Sequence, residues 1–218
     1  MLPPVDSPEV WAFGVTYIDS MRELQAESGS PDVYAKVYDA DRPESFFKAT
    51  LDRLPSPFGE VGIRGDSGWD VPEPELAFVT YGGNIGGYTC GNDMSSRTIE
   101  GENPLYLPQA KVYDKSAALG PSLVSKESIG DAQKLAVTLV IERNGKEAFK
   151  GQANTADMKR DCEYLVDWLV RHNSIPDGTS VMTGTGTIPP PEFTLAAGDV
   201  VHITIDKIGT LTNTVVTV

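Results

Sequence analysis

Apolar and polar residues alternate with a period of two in several separate stretches of this chain, whereas convincing helical spacing occurs in one. The stretches 11–17 (WAFGVTY), 75–81 (ELAFVTY), 86–90 (GGYTC) and 135–143 (LAVTLVIER) predict strands, as do 180–183, 200–205 and 210–218 (TLTNTVVTV). Asn144 and Gly145 predict a tight hairpin that returns over 147–151. Over 155–171, Met158, Cys162, Leu165, Trp168 and Leu169 share one helical face. A shorter helix is predicted over 19–28, with Asp19 as N-cap and Glu23 and Glu27 four apart. Residues 52–71 and 97–110 lack either period and predict two long loops, and 176–178 a turn. Residues 1–10, with three prolines among acids, predict a linker or truncated N-terminal edge, leaving one domain over 11–218. Many strands with one or two helices make an α+β, β-rich fold, closer to a mixed β-sandwich or roll than to a doubly wound sheet.

Composition narrows the function classes. With 218 residues the chain is long enough to bury a substantial core. A net charge of −13 offers no basic face for displacing phosphate counterions, which argues against nucleic acid. No apolar run reaches the length of a membrane span, and no leader pattern opens the chain, so a cytoplasmic location is expected. Cys90 and Cys162 are too few for a disulfide framework and read as core thiols.

The candidate chemistry lies in the acids. Glu73 and Glu75 are two apart in an extended stretch and so point to one side, and Asp93 follows after Gly82, Gly83, Gly86 and Gly87 have turned the chain back. Three oxygen donors without a nearby Cys or His pair suit a hard cation such as Mg²⁺. Spacing alone favours a solvated strand face for the two glutamates and a turn role for Asp93. Lys111, expected to open an extended run, is a candidate base if a nearby cation lowers its pKa. The segment 182–186 (MTGTG) offers backbone N–H groups and hydroxyls in a glycine-permitted bend that can hold a carboxylate. There is no phosphate-loop motif, and His172 and His202 have no neighbouring Ser or Cys in a nucleophile context. Arg64, Asp66, Glu100 and Glu102 are expected to be loop-surface residues.

Five separated blocks, in order, resemble the fumarylacetoacetate hydrolase family: 72–79 (PEPELAFV), 87–121 (GYTCGNDMSSRTIEGENPLYLPQAKVYDKSAALGP), 152–158 (QANTADM), 181–186 (VMTGTG) and the glycine-punctuated ending over 198–213. The resemblance covers nearly all of 11–218. It implies a β-rich roll around a Mg²⁺ or Mn²⁺ site, a catalytic domain over 11–218, and a homodimer. By position, it implies Glu73, Glu75 and Asp93 as metal ligands and Lys111 as the active-site lysine. Thr185 and Gly184 of the TGT segment, and Lys48 beside the site, are implied to bind substrate.

One departure from the family pattern matters. Hydrolase and decarboxylase members resemble one another in a lid His–Glu pair that handles water, but Ser20 stands at the histidine position here, and a serine is no base near neutral pH without help. The blocks are most similar to the branch that dehydrates 2-keto-3-deoxy-pentonates, which implies a Mg²⁺-dependent lyase of pentose breakdown yielding 2,5-dioxopentanoate. The alternatives are an acylpyruvate-type hydrolase or oxaloacetate decarboxylase on the same scaffold, and a non-catalytic sugar-acid-binding module.

Overall fold

β-Branched and aromatic residues in alternation form two large sheets and a two-stranded one, and the large pair frames the fold. A computed structural model describes residues 3–27 and 31–218. In chain order the strands are β1 (Glu9–Gly14), β2 (Glu44–Thr50), β3 (Glu60–Ile63), β4 (Asp70–Val71), β5 (Pro74–Tyr81), β6 (Asn84–Asp93) and β7 (Ser95–Ser96). They continue as β8 (Ala117–Ser125), β9 (Ala136–Arg143), β10 (Lys146–Asn154), β11 (Ser180–Thr185), β12 (Val200–Ile205) and β13 (Gly209–Thr217). The helices are α1 (Ile18–Glu27), α2 (Pro31–Asp39), α3 (Arg97–Glu102), α4 (Leu107–Lys111), α5 (Lys126–Ile129) and α6 (Cys162–Val170).

One sheet has the order β2-β1-β11-β5-β6-β8, the other β10-β9-β12-β13-β3. Their facing residues form one core, in which Leu76 and Phe78 of β5 meet Leu139, Ile141, Val201 and Ile203. The opposite face of the first sheet buries a second cluster of small residues, including Ala12, Ala49, Ala77 and Met182. This strand therefore has no solvated side, which explains why 75–81 is apolar almost throughout. The α+β, β-rich sandwich expected from the pattern is what forms.

Several local expectations are corrected. The predicted loop over 52–71 contains β3, whose Val61 and Ile63 are buried where it pairs in parallel with β13. A partner more than a hundred residues away makes that strand, so its Gly- and Pro-rich flanks concealed it. The predicted loop over 97–110 is helical. Ser96 caps α3 through the Ile99 N–H, and Pro104 and Pro108 sit in first-turn positions, where proline's missing donor costs nothing. Lys111 is accordingly the last residue of a helix and not the start of a strand.

The helix predicted over 155–171 breaks in two. Asn154 caps a 3-10 turn, Met158 bridges to Tyr17, and Asp161 starts α6 by accepting from the Tyr164 N–H. Within the predicted linker, Ser7 is buried against Ser180, and Glu9 and Val10 belong to β1. Residues 1–2 of that linker, and Ser28 at the end of the predicted first helix, lie outside the described residues.

Candidate metal centre and its cavity

The acid triad is built by the β5–β6 hairpin. Glu73 and Asp93 exchange backbone hydrogen bonds, Glu73 N to Asp93 O at 3.2 Å and Asp93 N to Glu73 O at 3.0 Å, which extends the β5–β6 ladder by one pair. Directly paired residues project to the same face. Glu75 follows Glu73 by two and joins them on that face. One carboxylate oxygen from each of the three lies within 4.8 Å of the others, and all three residues are buried. The expected solvated strand face is thus excluded.

Cations hold two of the three acids. Lys111 Nζ lies 2.8 Å from Glu73 Oε2 and 3.4 Å from Asp93 Oδ2, and donates to Ser95 Oγ at 2.5 Å. Arg97 Nη2 donates to Glu73 Oε1 at 3.0 Å. Burial pushes the Glu73 carboxyl up, but Lys111 and Arg97 outweigh it and hold the carboxyl below its ordinary value. Among the described residues Glu75 has no ion-pair partner within 4 Å and accepts from the Gly184 N–H, at 2.6 Å. Burial, followed by the neighbouring Asp93 and Glu73 charges, pushes Glu75 well above the carboxylate range. A hard dication among three oxygen donors would remove that repulsion, so the donor set fits Mg²⁺ or Mn²⁺.

The structure holds both lysines in ion pairs and corrects the expected place of Lys48 in the substrate cavity. Burial favours the neutral form of Lys111, but the Asp93, Glu73 and Glu100 charges more than offset it and raise its pKa. Lys48 is wholly buried, forms an ion pair with Asp93 Oδ1 at 2.6 Å, and donates to the carbonyls of Met94 (2.9 Å) and Lys111. Its three donors are therefore occupied beneath the site. Lys48 fastens Asp93 to α4 and does not line the cavity.

The cavity at the triad is lined by Phe13, Val15, Ser20 and Leu24 and by Glu44, Glu100, Leu107 and Lys111. Gly184 and Thr185 complete the wall, as the TGT segment suggested. Gly184 has φ +94°, and a Cβ there would collide with Thr16 Oγ1, so the close approach of this backbone to Glu75 requires glycine. Thr185 Oγ1 donates to the Thr187 carbonyl at 3.0 Å. Ser20 projects from α1 into the cavity, and neither histidine lines it.

Sequence reasoning missed Arg97, Ser95 and Glu44, and placed Glu100 on the surface. Glu100 is buried on α3 and borders the cavity. Glu44 pairs with Gly14 across β1–β2, and a Cβ at Gly14 would strike its carboxylate, so the Gly14–Glu44 register was the hidden signal. Desolvation, then the Glu100 charge, raises Glu44 to about 7, with Lys111 opposing and Glu73 adding. Arg64 and Asp66 pair with each other away from the cavity, and Glu102 is exposed, as expected.

Comparison with known proteins agrees with this geometry. The family model for the fumarylacetoacetate (FAA) hydrolase C-terminal domain matches residues 9–216. A probable 2-keto-3-deoxyxylonate dehydratase from Haloferax volcanii is 53% identical over 215 residues, covering 99% of this chain and 74% of its own length. A 2-dehydro-3-deoxy-D-arabinonate dehydratase from Saccharolobus solfataricus is 45% identical over 214 residues, covering 95% of this chain and 72% of its own length. Among solved structures, 2-keto-3-deoxy-D-arabinonate dehydratase complexed with magnesium and 2,5-dioxopentanoate superposes with a TM-score of 0.91. That structure is 44% identical and is matched over 99% of this chain and 75% of its own. With a paired-strand acid triad, a TGT wall and near-complete coverage by the family model, this chain belongs to the fumarylacetoacetate hydrolase family.

Proposed function

We propose that this protein is a Mg²⁺-dependent hydro-lyase that dehydrates a 2-keto-3-deoxy-pentonate to 2,5-dioxopentanoate. The observation that carries this reading is the buried Glu73–Glu75–Asp93 triad with Lys111 Nζ 2.8 Å from Glu73, beneath a roof that presents the Ser20 hydroxyl where an imidazole would serve hydrolysis. Similarity to two dehydratases and to a magnesium–product complex supports the choice of substrate.

Glu73, Glu75 and Asp93 would hold the cation, which when bound supplies a Lewis acid for the carboxylate and 2-keto end of the substrate. Thr185 and the Gly184 backbone border the same space and would orient that carboxylate. Lys111 is the group we assign to the C3 proton. It is held charged by Asp93 and Glu73; a cation held by those carboxylates would weaken that hold and let Lys111 serve as a base. Glu44 is the acid the sequence could not identify. Neutral below about pH 7, its carboxyl can protonate the departing 4-hydroxyl, which leaves as water. Loss of the C3 proton and the 4-hydroxyl leaves a 3,4-double bond beside the ketone. A shift of that bond to C4–C5 gives the enol of the 5-aldehyde, and hence the dioxo acid. No water is consumed, which agrees with Ser20.

The same reading assigns the protein to pentose breakdown in the cytoplasm, acting as a homodimer, for which exposed Leu105 and Tyr81 offer apolar surface. No described helix is long and apolar enough to cross a membrane. Incubation with Mg²⁺ and either 2-keto-3-deoxy-pentonate or acetylpyruvate tests the assignment. Turnover of the pentonate is expected, and turnover of acetylpyruvate alone would overturn it in favour of the hydrolase. Binding of the pentonate without product would favour the non-catalytic module.

A further inference from the structure

The wall of the cavity supplied by Val15, Ser20 and Leu24 is not part of either sheet's core. Val15, Leu24 and Tyr34 form a small cluster of their own with Met21, Val37 and Tyr38, inside the α1–α2 hairpin. Packing within the hairpin therefore fixes its shape but not its height above the triad. Its two ends set that height: Gly14 and Glu44 pair at its base, Tyr164 Oη donates to the Asp41 carbonyl at 2.5 Å, and one short segment, 158–160, holds both ends.

At the start of the hairpin, Tyr17 bridges to Met158, and the Lys159 N–H donates to the Thr16 carbonyl at 3.0 Å. At its end, Arg160 Nη2 donates to the carbonyls of Val37 (3.2 Å), Tyr38 (3.0 Å) and Ala40. Those are carbonyls of the last turn of α2 and the residue after it, which the helix itself leaves unsatisfied and where a cation opposes the helix dipole. Lys159 Nζ adds a bond to the Tyr38 carbonyl at 2.6 Å and lies over the Tyr38 ring. Val37 and Tyr38, whose carbonyls are gripped, also contribute side chains to the hairpin cluster. Arg160 is 5% exposed and borders no part of the cavity.

We propose that Arg160 is a positioning residue for the reaction: by holding the end of α2 it sets how closely Ser20 and Leu24 approach the substrate over the metal site. It touches neither metal ligands nor substrate, so it acts through the hairpin alone. The kinetic consequence rests on the dehydratase reading, but the structural consequence does not.

The test compares Arg160→Ala and Arg160→Lys with the parent by hydrogen exchange, Mg²⁺ titration calorimetry and steady-state kinetics at saturating Mg²⁺. In Arg160→Ala, exchange over 18–27 and 31–39 should accelerate about tenfold while 74–81 and 84–93 remain unchanged. Mg²⁺ affinity should stay within about twofold, and KM should rise roughly tenfold with a smaller change in kcat. Arg160→Lys, which can still donate to the carbonyls, should recover a substantial part of both effects. Equal acceleration in the strands would reduce Arg160 to a general folding role, and unchanged exchange in the hairpin would remove the tether. A loosened hairpin with unchanged KM would overturn the positioning role. If the parent itself fails to turn over the pentonate, the functional reading falls, while the exchange data still decide the tether.

Discussion

The floor and the roof of the cavity are made in opposite ways. The floor is the end of a six-stranded sheet buried on both faces, where Glu73, Glu75 and Asp93 are set by backbone pairing and clamped by Lys48, Lys111 and Arg97. The roof is a two-helix hairpin with a cluster of its own, held at its ends by residues 158–160. A sheet ladder fixes side-chain direction to a fraction of an ångström, which a metal site needs. A helical hairpin on a few ties can change its lining without disturbing that ladder. A change at Ser20 would therefore alter the roof and leave the floor intact.

The contrast can be broken most severely at the floor. Glu75→Gln should reduce Mg²⁺-dependent turnover to background. It should also raise the melting temperature of the metal-free protein at neutral pH, because burial and the Asp93 and Glu73 charges hold the Glu75 carboxyl protonated in the fold while the unfolded chain ionises it, an imbalance that an amide removes. A fall in melting temperature would contradict that electrostatic account. Glu73→Ala is expected to behave differently, since it takes one carboxylate from the buried Lys111 and Arg97, leaving Lys111 to Asp93 at 3.4 Å and Arg97 to Glu100 at 3.8 Å, and should lower stability by about 1–3 kcal/mol.

Lys111→Met should keep Mg²⁺ and lose turnover by roughly 10²–10⁴-fold. Unchanged turnover would remove Lys111 as the base. Next in size is the pH response of Glu44. Its pKa is raised, so the neutral carboxyl persists up to about pH 7 and is lost as pH climbs through that value. Activity should fall on the alkaline side, by about tenfold per unit, and this limb should be missing from the residual activity of Glu44→Gln. A limb that survives in the variant belongs to another group.

Two smaller effects separate floor from roof by stability. Gly184→Ala, at φ +94° and against Thr16 Oγ1, should cost about 1–3 kcal/mol in urea unfolding. Lys159→Ala loses partly exposed contacts to Tyr38 and Asp39 and should cost less than about 1 kcal/mol. Equal costs would mean that the roof is as firmly built as the floor.

Strand periodicity, the Asn144–Gly145 hairpin and the alternation of Glu73 and Glu75 were legible along the chain because each is a local property, dictated by neighbours two residues away. The resemblance blocks supplied Asp93, Lys111, Gly184 and Thr185, all of which border the cavity. What remained hidden depends on distant partners. β3 exists because β13 pairs with it, and Glu44 faces the cavity because Gly14 lies opposite. Arg97 and Glu100 enter the site because a stretch that looks like a loop is capped into a helix by Ser96.

The sequence by itself determined a β-rich chain with two acids on one strand face and a third on the next, since side-chain direction in a strand follows from its period. Only the tertiary structure decided the charge balance at the site. It placed Lys48 beneath Asp93, Arg97 against Glu73 and the Gly184 N–H against Glu75, because desolvation and Coulomb energy depend on distances between elements that no local pattern records.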